Sequence, residues 1–509
     1  MLNKKDRVFN ICIYVLFTIA LIFVVSQKQS YHIDGFYSYN LANSHHSISI
    51  NLDEKTRYEP AELPFNEYLT VNESNRFDYI NVWDRQAGDV HPPLYYVLLH
   101  TISSFFPNTF SKWYSCSINI VALLIILFFV QKIIKQLTDN KYIFYLVTLS
   151  FVLTTGILDS VALCRMYVLA MMWTTIGSYL YLIQVEKDEG FKFYLSITII
   201  TYLGALTHYY VVAYFVLLAI VYGIYLLIEK KYKSVGLFCG SMAVAGIGSI
   251  ATFPAMLNHI FSGYRGTEAV DNLLDIGTYV KRFISFFSNI SNELFGNEML
   301  YVFILLFVLL VIRLVKNKHL DSIKVKKYVL LIIPAVVYFV LVSKIAAYIN
   351  ERYISIIYPM IIIWVYCLLF DSINEMVPNK YSKLVSSLML IVIVFFGFYH
   401  SEWTYLYRDT KELNEESIKY KDVDCVCIYD GNQTEILNNC VELMNYNSLT
   451  VLKEEDINNI KNYIKTDDVI IKILNTNDGC LEKIIEQLPN YSNCELLGSA
   501  RNGSSYHLY

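Results

Sequence analysis

Long apolar stretches separated by short polar segments run through roughly the first 400 residues of the chain. A helix needs roughly 20 mostly apolar residues to cross a bilayer, and about eleven stretches come near that length. They lie near residues 9–26, 113–131, 142–158, 163–184, 193–207, 209–228, 235–253, 299–315, 328–345, 353–370 and 384–400. The pattern therefore predicts an all-α polytopic membrane domain over residues 1–401.

In the last part of the chain, the apolar runs are much shorter. Residues 423–429 and 468–474 are brief, mostly apolar runs that predict strands. Short helices are predicted over residues 433–446, 454–465 and 481–488. A small α/β domain is therefore expected over residues 402–509, without a nucleotide-binding glycine pattern.

Positive charges predict the orientation, because Lys and Arg concentrate in cytoplasmic loops. They cluster at Lys4, Lys5 and Arg7, at Lys132, Lys135 and Lys141, at Lys187 and Lys192, at Lys230, Lys231 and Lys233, over residues 313–327, and at Lys380 and Lys383. This alternation places the N-terminus inside, and residues 27–112, 254–298 and the tail outside. It requires the apolar stretch 93–106 to lie in the membrane interface as an amphipathic helix and not to cross.

Cysteines bear on the tail, because five of the ten lie there: Cys425, Cys427, Cys440, Cys480 and Cys494. One or two disulfides are expected if the tail is outside and oxidised. The odd count and the five cysteines in or near spans support free thiols equally well.

Composition agrees with a membrane protein, since 55% of the 509 residues are hydrophobic and 17% are charged. A net charge of −4 and a pI near 6.2 give no basic surface for nucleic acid. The expected partners are membrane lipid and a lipid-linked or surface saccharide. Asp84, Asp89 and His91 could ligate a divalent metal ion, but the sequence requires no metal or other cofactor.

The first outside loop contains two candidate catalytic carboxylates. Asp34 follows the first span in a Tyr- and Phe-rich segment, and Asp89 precedes His91 and two prolines. A general base for a sugar hydroxyl needs a carboxylate in hydrogen-bond reach, and partial burial would raise its pKa toward that task. The alternative is that Asp34 caps a helix and that Asp89 and His91 are ordinary loop residues.

Charged, histidine and tyrosine side chains fall at the same predicted edge of the spans. They are Arg165, Tyr167, His208, Tyr209, Glu351 and Arg352. Arg352 could bind a phosphate or stabilise the charge of a leaving group, or it could form a structural ion pair with Glu351. Arg165 could also extend its side chain to the membrane interface, and His208 could simply mark a turn.

Two motifs stand out at the predicted outer face. The first outside loop opens with His32-Ile-Asp-Gly-Phe and ends in His91-Pro-Pro-Leu-Tyr-Tyr. A late span is introduced by Glu351-Arg-Tyr and followed by Tyr358-Pro359. Together these motifs resemble the GT-C superfamily of integral membrane glycosyltransferases. Within the superfamily, the pattern is most similar to protein O-mannosyltransferases and bacterial lipid A aminoarabinose transferases, over residues 1 to about 400.

The resemblance implies transfer of a hexosyl or pentosyl group from a polyprenyl-phosphate donor at the outer face. It implies a base or acceptor-positioning role for Asp34, a second acidic position at Asp89, and phosphate binding by Arg352. Asp34 is followed by Gly35, whereas the mannosyltransferases pair two acidic residues here and carry an inserted lumenal domain. A glycan or lipid acceptor is therefore at least as well supported as a protein.

The leading hypothesis is a membrane glycosyltransferase with Asp34 and Asp89 as catalytic residues. The predicted substrate-binding residues are His91, Arg165, Tyr167, His208, Tyr209, Glu351 and Arg352. The alternatives are a transporter or flippase of a lipid-linked saccharide, and a surface-glycan polymerase or ligase. A transporter should carry its charges near the bilayer midplane, whereas these residues fall at one edge.

Overall fold

The computed structural model describes residues 4–187, 189–275, 277–316, 321–477 and 479–509. They form two compact units. The first contains Met1–Val24, Trp83–Tyr95 and Cys116–Trp403, and the second contains Val25–Val82, Tyr96–Ser115 and Thr404–Tyr509. The second unit thus combines the C-terminal tail with most of the first loop.

Helices dominate the chain up to His400. The α-helices there are Lys4–Ser26, Ile33–Asn43, Pro64–Leu69, Tyr79–Gly88, Leu94–Ser104, Lys112–Leu137, Lys141–Val152, Thr155–Ser160, Tyr167–Leu182, Phe191–Ala205, Tyr209–Ile228, Tyr232–Thr252, Ala255–Phe261, Tyr264–Leu274, Tyr279–Phe295, Met299–Val315, Ser322–Ile345, Tyr358–Met376 and Asn379–His400. Short 3-10 helices occupy Ile183–Val185, Glu351–Tyr353 and Ser355–Ile357. The predicted class, a polytopic helical membrane domain with a small α/β region after it, is confirmed.

The number of spans differs from the predicted eleven. In the described part of the chain, eight helices are long and apolar enough to cross a membrane, or nine if one bent pair forms a single span. The predicted spans 142–158 and 193–207 form helices Lys141–Val152 and Phe191–Ala205. At 1.5 Å per residue these are about 18 and about 22 Å long, shorter than the roughly 30 Å hydrocarbon core.

The bent pair contains the predicted span 299–315. Helices Tyr279–Phe295 and Met299–Arg313 meet at 80°, because Gly296 and Asn297 take left-handed backbone angles of +57° and +71°. Their N–H groups donate to the carbonyls of Asn292 and Ser291, which ends the first helix.

One span is central to the first unit. Within Ser355–Met376, 94% of the apolar window is buried, compared with 17% in Tyr232–Thr252 and 22% in Lys380–His400. Arg352 therefore lies just before the most enclosed of the spans in the described part of the chain.

Close helix packing fixes three helices near the predicted site residues. The ring of Phe215, on Tyr209–Ile228, lies against Gly177 of Tyr167–Leu182 and Gly204 of Phe191–Ala205. A Cβ atom at Gly204 would lie 2.9 Å from that ring. The two glycines therefore make room for one large buried side chain.

A six-stranded sheet forms the core of the second unit. Its strands are β1 (Arg57–Tyr58), β2 (Asp424–Tyr429), β3 (Ser448–Lys453), β4 (Val469–Leu474), β5 (Cys494–Ala500) and β6 (Gly503–Leu508). They lie in the order β1-β3-β2-β4-β6-β5. β3, β2 and β4 are parallel, whereas the other pairs are antiparallel.

The predicted strands 423–429 and 468–474 are confirmed as β2 and β4, and four further strands were not predicted. The helical elements of the tail are Arg408–Thr410, Lys411–Lys419, Gln433–Asn438, Cys440–Leu443, Glu454–Asn462 and Cys480–Gln487. The predicted helix 433–446 is thus split in two, and 454–465 is a 3-10 helix.

The expected disulfides are absent, since all ten cysteines lie in the described chain and are free thiols. Cys425 and Cys427 point to one face of β2, where they are completely buried. The adjacent Lys472 and Glu442 form a buried ion pair at 2.7 Å. These cysteines therefore serve as small core residues.

Candidate active site

His208 begins the span Tyr209–Ile228 as its N-cap. Its Nδ1 accepts a hydrogen bond from the backbone N–H of Tyr210 at 3.0 Å. Burial lowers the pKa of His208 well below its ordinary value, and the neighbouring charges of Arg165 and Arg352 lower it further. His208 is therefore a neutral imidazole with its hydrogen on Nε2.

Arg165 lies two residues before the helix Tyr167–Leu182 and is 4% exposed. The backbone leading to it is held by Asn119, whose side-chain amide donates to the carbonyls of Val161 and Leu163 at 3.2 and 2.6 Å. The position of Arg165 is thus fixed by a polar residue within the neighbouring span Lys112–Leu137.

Arg352 lies in the 3-10 turn Glu351–Tyr353, just before the central span. Its backbone N–H donates to Oδ1 of Asn350 at 3.1 Å, and its carbonyl accepts from Ser355 Oγ at 2.8 Å. Its guanidinium lies over the rings of Tyr167 and Tyr353, 5.7 and 5.2 Å from their centroids. Cation–π contacts therefore orient a buried arginine.

His91 lies between a carboxylate and a guanidinium. Its Nδ1 is 2.8 Å from Oδ2 of Asp89, and its Nε2 is 3.2 Å from Nη2 of Arg165. Because a guanidinium can only donate, Nε2 accepts and the ring hydrogen lies on Nδ1, which donates to Asp89. His91 is therefore neutral and held in one tautomer.

Asp89 does not have the raised pKa expected for a buried base. Burial on its own would raise the pKa of Asp89, but His91, the N–H of Val90 and the charge of Arg165 outweigh it and lower the pKa to about 2. The sequence analysis considered partial burial but not these stabilising partners. Asp89 is therefore ionised at any physiological pH.

Aromatic rings join these groups into one cluster within the first unit. The ring of His208 lies 6.0 Å from His91 and 5.0 Å from Tyr167. Tyr353 lies 6.0 Å from Tyr167 and 5.4 Å from Tyr210. The structure thus brings together Asp89, His91, Arg165, Tyr167, His208 and Arg352, which the sequence singled out.

Tyr209 and Glu351 face different neighbours. The hydroxyl of Tyr209 lies 2.7 Å from Nδ1 of His259, whose Nε2 lies 3.1 Å from the carbonyl of Ala87. Tyr209 thereby links its span to the helix that precedes Asp89. Glu351 lies in electrostatic range of the buried carboxyls of Asp159 and Glu293.

Asp34 belongs to the second unit, in the first turn of helix Ile33–Asn43. Its backbone N–H donates to Nδ1 of the N-cap residue His32 at 3.1 Å. Its carboxylate lies 3.5 Å from the same nitrogen, with 21% of the side chain exposed. The N-cap of this helix is therefore His32 and not Asp34.

Three residues near the cluster were not singled out as ligands from the sequence: Tyr210, Tyr353 and Arg265. Arg265 acts electrostatically on Tyr210 and stacks on the rings of Tyr264 and Tyr348, at 4.9 and 5.0 Å. Its position in a predicted outside loop, between two glycines, was the available signal.

The possible metal set of Asp84, Asp89 and His91 is not assembled as a ligand group. Among the described residues, no group of three or more His, Cys, Asp or Glu side chains is arranged to hold a metal ion. Both ring nitrogens of His91 already have partners in Asp89 and Arg165.

Several solved structures are similar to the chain. The chain is similar to the crystal structure of ArnT from Cupriavidus metallidurans in the apo state, with a TM-score of 0.45 and 9% sequence identity over 97% of each chain. No protein-family model and no curated protein matches the chain.

Proposed function

We propose that this protein is a membrane glycosyltransferase that moves a hexosyl or pentosyl group from a polyprenyl-phosphate donor to a glycan, lipid or protein acceptor. The observation that carries the proposal is the buried pair of Arg165 and Arg352 beside the first residues of three spans. Both side chains are less than 7% exposed. The planar guanidinium of arginine presents several N–H donors in a geometry that matches the oxygens of a phosphate.

Helix direction adds to this positive field. Tyr167, Tyr209 and Ser355 each begin a span. The ring of Tyr167 contacts those of His208 and Tyr353, which stand just before the other two spans. The starts of helices carry partial positive charge from unsatisfied N–H groups. Three helix starts and two arginines together favour a phosphate, which is the group that leaves when a lipid-linked sugar is transferred.

In the proposed reaction, the acceptor hydroxyl oxygen bonds to the anomeric carbon as the bond from that carbon to the phosphate oxygen breaks. The hydroxyl proton passes to the base, which the sequence resemblance assigns to Asp34. The polyprenyl phosphate leaves as an anion stabilised by Arg165 and Arg352. With a pKa of about 2, Asp89 is a weak base, and its role is to hold His91 in the tautomer that accepts from Arg165.

The placement of charge favours an enzyme over a transporter. Arg165 and Arg352 both lie just before the first residues of spans, whereas a transport path would place charged groups near the middle of the membrane. A lipid-linked donor also allows transfer at the extracytoplasmic face, where the loop charges predict the site to lie.

The test is donor consumption in proteoliposomes. Radiolabelled polyprenyl-phosphate hexoses and pentoses are supplied with cell-envelope extract as acceptor, and release of polyprenyl phosphate is measured. Wild-type protein should consume at least one donor. Arg352→Ala should lower kcat/KM by about 100-fold or more, and Arg352→Lys by less, because it keeps the charge but loses the planar fork.

Arg7→Ala, an exposed arginine near the N-terminus, is the matched control and should retain full activity. Asp34→Asn should abolish turnover if Asp34 is the base. Absence of consumption for every donor, together with movement of a fluorescent lipid-linked saccharide across the bilayer, would support the transporter instead.

A further inference from the structure

The parallel strands of the second unit create a place where ligands bind in open α/β sheets. β2 and β4 are neighbours, but the connection after β2 leads to β3 on one side and the connection after β4 leads toward β5 and β6 on the other. Such a change of direction opens a crevice beyond the carboxyl ends of the two strands. Here it lies between Asp430, which follows β2, and Asn475, which follows β4.

Polar residues line this crevice. The side-chain amide of Asn475 donates to Oδ2 of Asp430 at 2.7 Å, and that of Asn477 donates to Oε2 of Glu454 at 2.8 Å. Lys453, the last residue of β3, pairs with Glu54 at 2.9 Å. Residues at the carboxyl ends of three parallel strands thus place fixed hydrogen-bond donors and acceptors at the same end of the sheet.

The backbone turns sharply behind these groups. Gly431 has a φ of +102° and Asn475 a φ of +49°, so that the chain leaves both strands through left-handed residues. At these residues the connections turn away and leave the space beyond the carboxyl ends of the strands open. An open pocket of about 830 Å³ results.

The pocket lining distinguishes among ligand classes. Eight of its nine residues are polar or charged, including three carboxylates, three asparagines and two lysines. Ile457 is the one apolar residue of the lining, so that no apolar surface is available for a nucleotide base to pack against. The carboxylates would repel a polyphosphate. Amides and carboxylates beside lysines instead match hydroxyl groups, each of which can both donate and accept.

We propose that this pocket is a saccharide-binding site, separate from the proposed transfer site and recognising a neutral, polyhydroxylated chain. Asp430 and Glu454 accept from sugar hydroxyls, and Lys483 donates to them. The site would retain glycan on the second unit whether or not the protein transfers sugar, because none of its residues belongs to the cluster in the first unit.

Saturation-transfer difference NMR on the full-length protein tests the proposal. The protein is kept in a detergent without a sugar headgroup, and maltohexaose, cellohexaose, xylohexaose and chitohexaose are titrated separately. At least one should bind. Asp430→Ala and Lys483→Ala should each weaken that binding about tenfold, as expected for the loss of a charge-assisted hydrogen bond.

Matched controls come from the opposite end of the parallel strands, where β4 begins. Asp467→Ala and Lys465→Ala remove an exposed carboxylate and an exposed lysine just before β4, and both should bind like wild type. Asp430 and Lys483 are also exposed, and unchanged melting temperatures will show that the variants fold. The proposal is overturned if no oligosaccharide binds, or if the pocket variants bind as tightly as the controls.

Discussion

Two histidines cap helices in this protein with the same ring nitrogen. His32 and His208 both accept a backbone N–H through Nδ1, which requires each ring to carry no hydrogen there. The sequence pointed to His208 and Arg352 because polar residues stood out against apolar surroundings. The sequence could not indicate Tyr353, because this residue joins the cluster through ring contacts with Tyr167 and Tyr210, which are distant in sequence.

At Asp89, substitution should reduce stability by an amount that does not vary across neutral pH. Its pKa is lowered from 3.8 to about 2, so its stabilising contribution is present above about pH 4 and is lost as the pH falls toward about 2. Asp89→Asn should therefore lower the free energy of unfolding by about 2 kcal/mol. Chemical denaturation in detergent, followed from about pH 8 to about pH 5, measures it.

Asp84→Asn, at an exposed position one turn earlier, is the control and should change stability little. An effect at Asp89 that disappeared within that neutral range would show that the carboxyl titrates there, contrary to its lowered pKa.

At the scale of elements, apolar length predicted most helices but not their breaks. The stretch 142–158 is continuous in hydropathy, yet the first helix ends at Val152 and Thr154 is the N-cap of a second helix, Thr155–Ser160. Likewise, β2 and β4 were recognisable as apolar runs, whereas β6 is polar and depends on pairing with β4. Helix breaks and polar strands such as β6 therefore depend on partners that the local sequence does not show.

The glycines around Phe215 provide a test of helix packing. Gly177→Ala should destabilise the protein by about 1–3 kcal/mol, because the ring is held from the other side by Gly204 and has no space to move. Thermal unfolding of the purified protein measures the change. Adding Phe215→Leu to Gly177→Ala should restore part of the loss.

Gly223→Ala is the matched control within helix Tyr209–Ile228, since a Cβ there would meet nothing within 4 Å. It should be neutral or stabilise by up to about 1 kcal/mol. Equal effects at Gly177 and Gly223 would mean that close packing against Phe215 is not what requires glycine.

For the whole molecule, the charges of the loops predict the side of the membrane on which each segment lies. Cys494 is an exposed thiol, whereas the other four tail cysteines are buried. A membrane-impermeant maleimide added to intact cells should therefore label the wild-type protein at Cys494, and Cys494→Ser should remove that labelling. The label is detected by a gel shift.

Lys233→Cys, introduced into Cys494→Ser, places a thiol in a predicted cytoplasmic loop. It should be labelled only after the cells are permeabilised. Labelling of Cys494 only after permeabilisation would reverse the orientation and place the proposed transfer site in the cytoplasm.

The pairing of β1 with β3 has a consequence for biosynthesis. Arg57 pairs with Thr450, so that during translation an edge strand waits for a partner that lies about 390 residues later in the chain. At ribosomal rates of about 5–20 residues per second, the wait lasts tens of seconds. During this time the first loop must stay unaggregated with an open strand edge, and a ribosome that stalls late leaves the sheet without its centre.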